Sequence, residues 1–166
     1  LPLADDQNAA ITRYTEIVQS FSDIFETEYA KVFSAKLGLG PCTESTVLTE
    51  QLLKMMAQAG ADFTQSFRAL GTDDIGYYVG DHTGFDLWHD AWMQSADHDK
   101  LNSINPAIIP RNHIVEAMIA EAVAGNMQLF HALNDTLKTP FVTPQNPDFS
   151  MAPTDNELVH QTFCGT

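Results

Sequence analysis

The sequence predicts an all-α fold, an irregular helical bundle of about five to six helices with an extended, proline-rich C-terminal tail. Apolar residues recur at steps of three and four through most of the first 138 residues, and no strand pair with hairpin chemistry appears. The pattern ends after Lys138, where Pro140, Pro144, Pro147 and Pro153 follow. We therefore expect a helical domain over residues 1–139 and an extended tail over 140–166 that wraps a surface.

The first predicted helix is the longest and runs from Asp5 to Leu37. Asp5 or Asp6 can cap its start, and Gly38 can adopt the left-handed conformation that ends it. Its apolar residues step by three and four along the segment and form one face of a helix. They are Ile11, Tyr14, Ile17, Val18, Phe21, Ile24, Phe25, Tyr29, Val32 and Phe33.

Glycine and proline mark the remaining elements. A helix beginning near Thr43 or Thr46 ends at Gly60, a short one over 62–70 ends at Gly71, and another covers 83–96. Pro110 suits the first position of the next helix. That helix ends at Gly125, and a turn there leads to a last helix, so the two should form an antiparallel hairpin. Residues 71–83 read as a loop with a possible short extended piece at 77–79, and 97–110 as a polar connection punctuated by proline.

Charge and cysteine content limit the classes of function. The formal net charge is −14, so binding to nucleic acid or to anionic membranes is disfavoured. The acidic surface favours solubility, although one acidic face could also meet a basic protein partner. No apolar run is long enough for a transmembrane helix. Two cysteines far apart, Cys42 and Cys164, suit a reducing compartment, and with no visible targeting segment we expect the bacterial cytoplasm.

Two groups of residues could bind ligands, but each favours a structural interpretation. Histidines and aspartates cluster between residues 81 and 99, yet they match no known metal-ligand spacing, so we interpret them as solvated surface. Trp88 and Trp92, four residues apart, are expected to anchor the core rather than to form a stacking platform. Cys42, next to Gly40-Pro41, is expected to be an incidental residue at a helix start.

Four segments together carry a family resemblance. They are YAKVFSAKLGL at 29–39, ADFTQSFRAL at 61–70, INPAIIPRNHIVEAM at 104–118, and QTFCGT at 161–166. In this order they resemble the C-terminal part of selenoprotein O, a family of protein adenylyltransferases with a kinase-like fold. The sequence departs from the family between Met93 and Ile104, where relatives usually have a longer basic segment.

The resemblance implies that the parent protein transfers AMP from ATP to hydroxyl side chains of other proteins, with Mg²⁺ or Mn²⁺. Those protein substrates, and an N-terminal kinase-like core, would be its partners. We expect no catalytic residue, cofactor or metal in the present chain, because it has no glycine-rich phosphate loop and no HRD-like or DFG-like segment. The first residue is Leu1 rather than Met, so we expect a boundary within a longer protein. Parts of the Ile11–Phe33 stripe would then be apolar surface that the core normally covers.

Two candidate sites remain. Cys164 lies in the tail and could form a regulated disulfide, as the resemblance supports, or could pack as an unreactive thiol. Arg111, Asn112 and His113 open a helix, and they could contact nucleotide phosphate or the kinase-like core. Alternatively, Arg111 could hold an acidic neighbour while Asn112 and His113 bond free backbone groups. Our hypothesis is a non-catalytic region that braces the kinase-like core, and its alternative is an autonomous acidic adaptor that binds a basic protein.

Overall fold

The computed structural model describes residues 7–80 and 82–159, with side chains from Ala9 onward. It confirms the all-α prediction, since no strand occurs in those residues. Two single-turn 3₁₀-helices lie in the tail, at Pro147–Phe149 and Asp155–Glu157. The α-helices of the described part are α1 (Gln7–Lys36), α2 (Thr43–Ala59), α3 (Phe63–Ala69), α4 (Ile75–Val79), α5 (Phe85–Ser95), α6 (His98–Ile104), α7 (Asn112–Val123) and α8 (Gln128–Leu137).

Two short helices, α4 and α6, occupy segments expected to be irregular. The prediction of a possible extended piece at 77–79 was wrong, because these residues belong to α4. Ile75 and Val79 are both buried, and a spacing of four residues places them on the same face of a helix. The connection over 97–110 contains α6, whose one buried residue, Leu101, enters the core. Both helices are seven residues or shorter, too short for periodicity to distinguish them from loops.

Glycines end the helices where the sequence indicated. Gly38 and Gly60 have φ of +70° and +62°, the left-handed conformation expected after α1 and α2. The placement of Pro110 as the first helical residue was wrong, since α7 begins at Asn112. Arg111 precedes it as the N-cap residue, with extended backbone (φ −76°, ψ 135°) and no side-chain hydrogen bond to the helix start.

A large core joins the end of α1 to α2–α6. Trp88 and Trp92 lie at its centre with stacked rings 5.6 Å apart, which confirms their role as core anchors. Their indole N–H groups donate to the Leu48 carbonyl (2.9 Å) and the Leu37 carbonyl (2.8 Å) respectively. A buried indole N–H is expensive to leave unpaired, so these two bonds also fix α2 and the end of α1 against α5.

A smaller core lies under the tail. Ile108, Ile114, Leu133 and Phe149 are buried together, and they bring α7, α8 and the first 3₁₀ turn into contact. The tail begins by docking on the chain before α7, where the Pro140 carbonyl accepts the N–H groups of Ala107 (2.8 Å) and Ile108 (3.2 Å). In the part of the chain that the structure describes, none of the helices has the length and apolarity needed to cross a bilayer.

Candidate functional site: the joint around Arg111

A bidentate ion pair links the starts of two helices. Arg111 precedes α7, and its Nη1 and Nη2 each donate to one carboxylate oxygen of Asp62 at 2.8 Å. Asp62 precedes α3, and its Oδ1 also accepts the backbone N–H of Gln65 (2.8 Å). The Arg111 side chain is 7% exposed and that of Asp62 19%. Such fork-to-fork geometry fixes orientation as well as distance, so the pair sets how α3 and α7 meet. We call this contact between the helix starts, centred on Asp62 and Arg111, the joint.

The surroundings of Asp62 favour its charged form. Burial by itself would raise the pKa of Asp62, but the hydrogen bonds from Arg111 and from the Gln65 backbone oppose burial and leave the pKa below its ordinary value. Asp62 therefore performs two tasks with one carboxylate, capping α3 and pairing with Arg111. One candidate residue, Arg111, thus holds an acidic neighbour, which is the structural alternative that the sequence offered.

A second group of polar contacts, through Arg68 of α3 and Asn105, was not predicted from the sequence. Asn105 is fully buried, and its Nδ2 donates to the Lys36 carbonyl at the end of α1 (2.8 Å). Arg68 donates through Nη1 to the carbonyls of Asn102 (2.8 Å) and Asn105 (3.0 Å). Because these bonds connect α1, α3 and the end of α6, they extend the joint across the large core. Asn105 before Pro106 was the one signal available, since a residue before proline is held extended and cannot continue α6.

Lys36 has an unusual position for an amine. Its Nζ lies 5.2 Å from the ring centroid of Phe67 and 5.8 Å from that of Phe63, within cation–π range. It also lies 3.4 Å from Asn105 Oδ1. Burial lowers the pKa of Lys36. The two ring contacts hold the end of α1 against α3.

Asn112 and His113 line a groove of about 280 Å³. Asn112 is exposed, His113 is half-buried, and α7 begins without a side-chain cap. The charge of His113 is one of the smaller influences that lower the pKa of Glu157, after its hydrogen bonds with Thr154. The groove is lined by residues 109–113 together with Pro153, Leu158 and Val159. The structure thus places all three candidate residues beside the tail, with Arg111 turned inward to Asp62.

The two cysteines differ in what the structure describes. Cys164 lies outside the described residues, so its predicted redox role stays a prediction. Cys42 lies at the start of α2, as expected, where its Sγ accepts the Ser45 backbone N–H at 3.4 Å. That hydrogen bond lowers the pKa of the exposed Cys42 thiol. Across residues 7–80 and 82–159, the His, Cys, Asp and Glu side chains form no group of three that could hold a metal ion.

Comparison with known proteins places the chain in a family. The family described as "Protein adenylyltransferase SelO" matches residues 7–138. A "Protein nucleotidyltransferase YdiU" of Ruegeria pomeroyi is 38% identical over 98% of this chain and 36% of its own length. Those of Nitrobacter winogradskyi and Alkaliphilus metalliredigens are 37% and 31% identical over all of this chain and 37% of their lengths.

The match covers the joint but only part of the relatives. Asp62, Arg111 and the helices they connect all lie within the matched residues 7–138, and the chain spans little more than a third of the curated relatives' length. Neither the family match nor the similarity to these relatives favours the alternative of an autonomous acidic adaptor. With most of its residues inside the family match, the chain belongs to the protein adenylyltransferase SelO family.

Proposed function

We propose that this chain is the non-catalytic C-terminal helical region of an enzyme that transfers AMP from ATP to Ser, Thr or Tyr hydroxyls of proteins. In the parent it braces a kinase-like core that binds ATP with Mg²⁺ or Mn²⁺, in the bacterial cytoplasm. The family match supports the AMP-transfer part of this proposal, and the observation that carries the non-catalytic role is the use of polar groups at the joint. Arg111 and Asp62 bond to each other, and Arg68 and Asn105 bond to the backbone of neighbouring elements.

A brace and a nucleotide site need different arrangements of arginine. An arginine that binds phosphate offers its paired Nη donors to the ligand, whereas both Nη groups of Arg111 are bonded to Asp62 at 2.8 Å. Removing Arg111 from Asp62 to bind phosphate would leave a partly buried carboxylate without its cation. The present geometry therefore supports a rigid joint that holds two helices at a fixed angle.

Labelled nucleotide tests the proposal. The chain, incubated with α-³²P-ATP, Mn²⁺ or Mg²⁺ and a mixture of proteins, should transfer no label above a blank without protein. The full-length Ruegeria pomeroyi relative serves as the positive control. When that relative's matched segment is replaced by this chain, the chimera should transfer label, and the Asp62→Ala chimera should transfer less because its brace is loosened. Transfer by the chain alone would contradict the proposal.

The redox part of the proposal needs its own experiment. We propose that Cys164 forms a regulated disulfide with a cysteine of the core, with the two thiols passing two electrons and two protons to glutathione disulfide, which leaves as two glutathione thiols. In the chimera, oxidation should change AMP transfer, and Cys164→Ser should abolish that change. Cys42→Ser is the matched control and should leave the response intact. An equal response in the Cys164→Ser chimera would contradict this role.

A further inference from the structure

The first two thirds of α1 carry a stripe of exposed apolar side chains. Each is between 56% and 73% exposed, far more than the core residues at the end of the same helix. We call these side chains the α1 stripe, and its members are Ile11, Tyr14, Ile17, Val18, Phe21, Ile24 and Phe25. Phe21 and Phe25 already contact one another, with ring centroids 6.2 Å apart. A contiguous apolar surface of this kind marks an interaction site.

The α1 stripe lies on one side of the helix. At about 100° per residue, its seven members fall within an arc of about 140°, and the residues between them fall on the opposite, polar side. Ser34, which is fully buried against Ser45 of α2, projects on that polar side. Residues 11–28 are exposed on all sides of the helix, so this part of α1 extends beyond the large core, and the other described residues leave the stripe uncovered.

We propose that the α1 stripe is the docking face for the kinase-like core, the part of the family's sequence that lies outside this chain. The inference rests on the proposed function. Its support is the length of the relatives, because the matched segment is 36–38% of each of the first four. The remaining residues form a body large enough to cover the whole stripe.

The shape and charge of α1 favour this occupant over a second copy or a membrane. A two-stranded coiled coil needs about two apolar positions per heptad, whereas the stripe supplies three, the width of a helix packed in a larger core. The polar side carries Glu16, Asp23 and Glu26 against Arg13. Helices that lie on membranes are usually basic on that side, because the lipid surface is anionic.

Hydrogen exchange in the chimera tests the docking. Backbone amides of residues 10–28 should exchange at least tenfold more slowly in the full-length chimera than in this chain alone, while those of α2 should be unchanged. Val18→Glu with Phe21→Glu should remove that slowing. Gln19→Glu with Ser20→Glu, which adds the same charge to the polar side of the same turns, should not. The proposal would be overturned if residues 10–28 exchanged equally fast in the chain and the chimera, or if the two double substitutions changed that exchange equally.

Two further measurements keep the result interpretable. If the Val18→Glu, Phe21→Glu chimera also loses protection in α2, the milder pair Ile17→Gln and Ile24→Gln replaces it. Light scattering of the chain alone checks for a second copy, and a dimer broken by Phe21→Glu but not by Gln19→Glu would overturn the proposal. Protected α1 without AMP transfer would count against the proposed function only, and transfer with unprotected α1 against the docking only.

Discussion

The large and small cores of this chain are stabilised in different ways. Among the residues that the structure describes, thirteen buried apolar residues form the large core, whereas four form the small one. The large core fixes its helices with indole-to-carbonyl bonds inside apolar surroundings, while the small core is tied to it by the Asp62–Arg111 pair and by Gln65 Nε2, which donates to the Ser150 carbonyl (3.0 Å). A core of four residues buries too little surface to hold its own orientation, so directional polar bonds orient it.

Trp92→Ala is the strongest way to break the large core. Trp92 is fully buried and its N–H pairs with Leu37, so its removal leaves a cavity and an unpaired carbonyl. We expect a loss of about 4 kcal/mol in the free energy of unfolding, measured by urea titration with circular dichroism. Leu87→Ala, on the same helix but 79% exposed, should change stability by less than about 0.5 kcal/mol. Similar losses of unfolding free energy in the two variants would show that Trp92 stabilises the large core no more than an exposed residue of α5 does.

Asp62→Ala should break the joint and spare the large core. It removes the α3 cap and leaves the buried guanidinium of Arg111 unpaired, which should cost about 3 kcal/mol. Relative to the unmutated chain, the Asp62→Ala variant should show a larger increase in amide hydrogen exchange in α7 and α8 than in α2. The double variant Asp62→Ala, Arg111→Met should recover part of the loss, since no unpaired charge remains. A double variant as unstable as the sum of both single variants would mean that the ion pair contributes no coupling.

Gly38→Ala probes how closely α1 approaches the start of α6. A methyl group there would lie 2.8 Å from the Asp97 carbonyl oxygen, and φ is +70°, so we expect a loss of about 2 kcal/mol. Gly40→Ala is the matched control, because nothing lies within 4 Å of its added carbon. Thermal unfolding followed by circular dichroism compares the two. Equal melting temperatures would show that this turn adjusts without strain.

The smallest expected effect is the pH dependence of the joint. Because the pKa of Asp62 is lowered in the folded chain, its contribution is present above its unfolded pKa of about 3.9 and is lost as pH falls through the lower folded value. The stability difference between the wild-type chain and Asp62→Ala should therefore be constant from about pH 5 to pH 7 and shrink below about pH 4. Urea titrations at several pH values measure it, and a difference that grows at low pH would contradict the assignment.

The sequence predicted the long helices and their ends because periodicity and glycine act locally. Gly38 and Gly60 end α1 and α2 as expected, and Trp88 and Trp92 are buried as their spacing indicated. It did not predict α6, because most residues of α6 are polar and show no apolar periodicity. This helix is stabilised by Leu101, which fills the large core. Helices of five to seven residues depend on tertiary packing, which local pattern does not contain.

The joint was only half visible in the sequence. Arg111 was expected to hold an acidic neighbour, but nothing local identified Asp62, 49 positions earlier, as that neighbour. No local pattern indicates the contact between Lys36 and Asn105, because it joins α1 to the end of α6 across 69 residues. Pairings at such separation follow from how the helices pack, and the sequence pattern of each helix fixes only which of its faces is apolar.

The stacked pair Trp88 and Trp92 determines what intrinsic tryptophan fluorescence can report about the unfolding of this protein. They are the two tryptophans of the chain, and both are enclosed in the large core. Indole emission shifts to longer wavelength only when water reaches the ring, so the signal reports on one core and is blind to the other. A chain whose α7, α8 and tail had come loose would still emit as if it were intact.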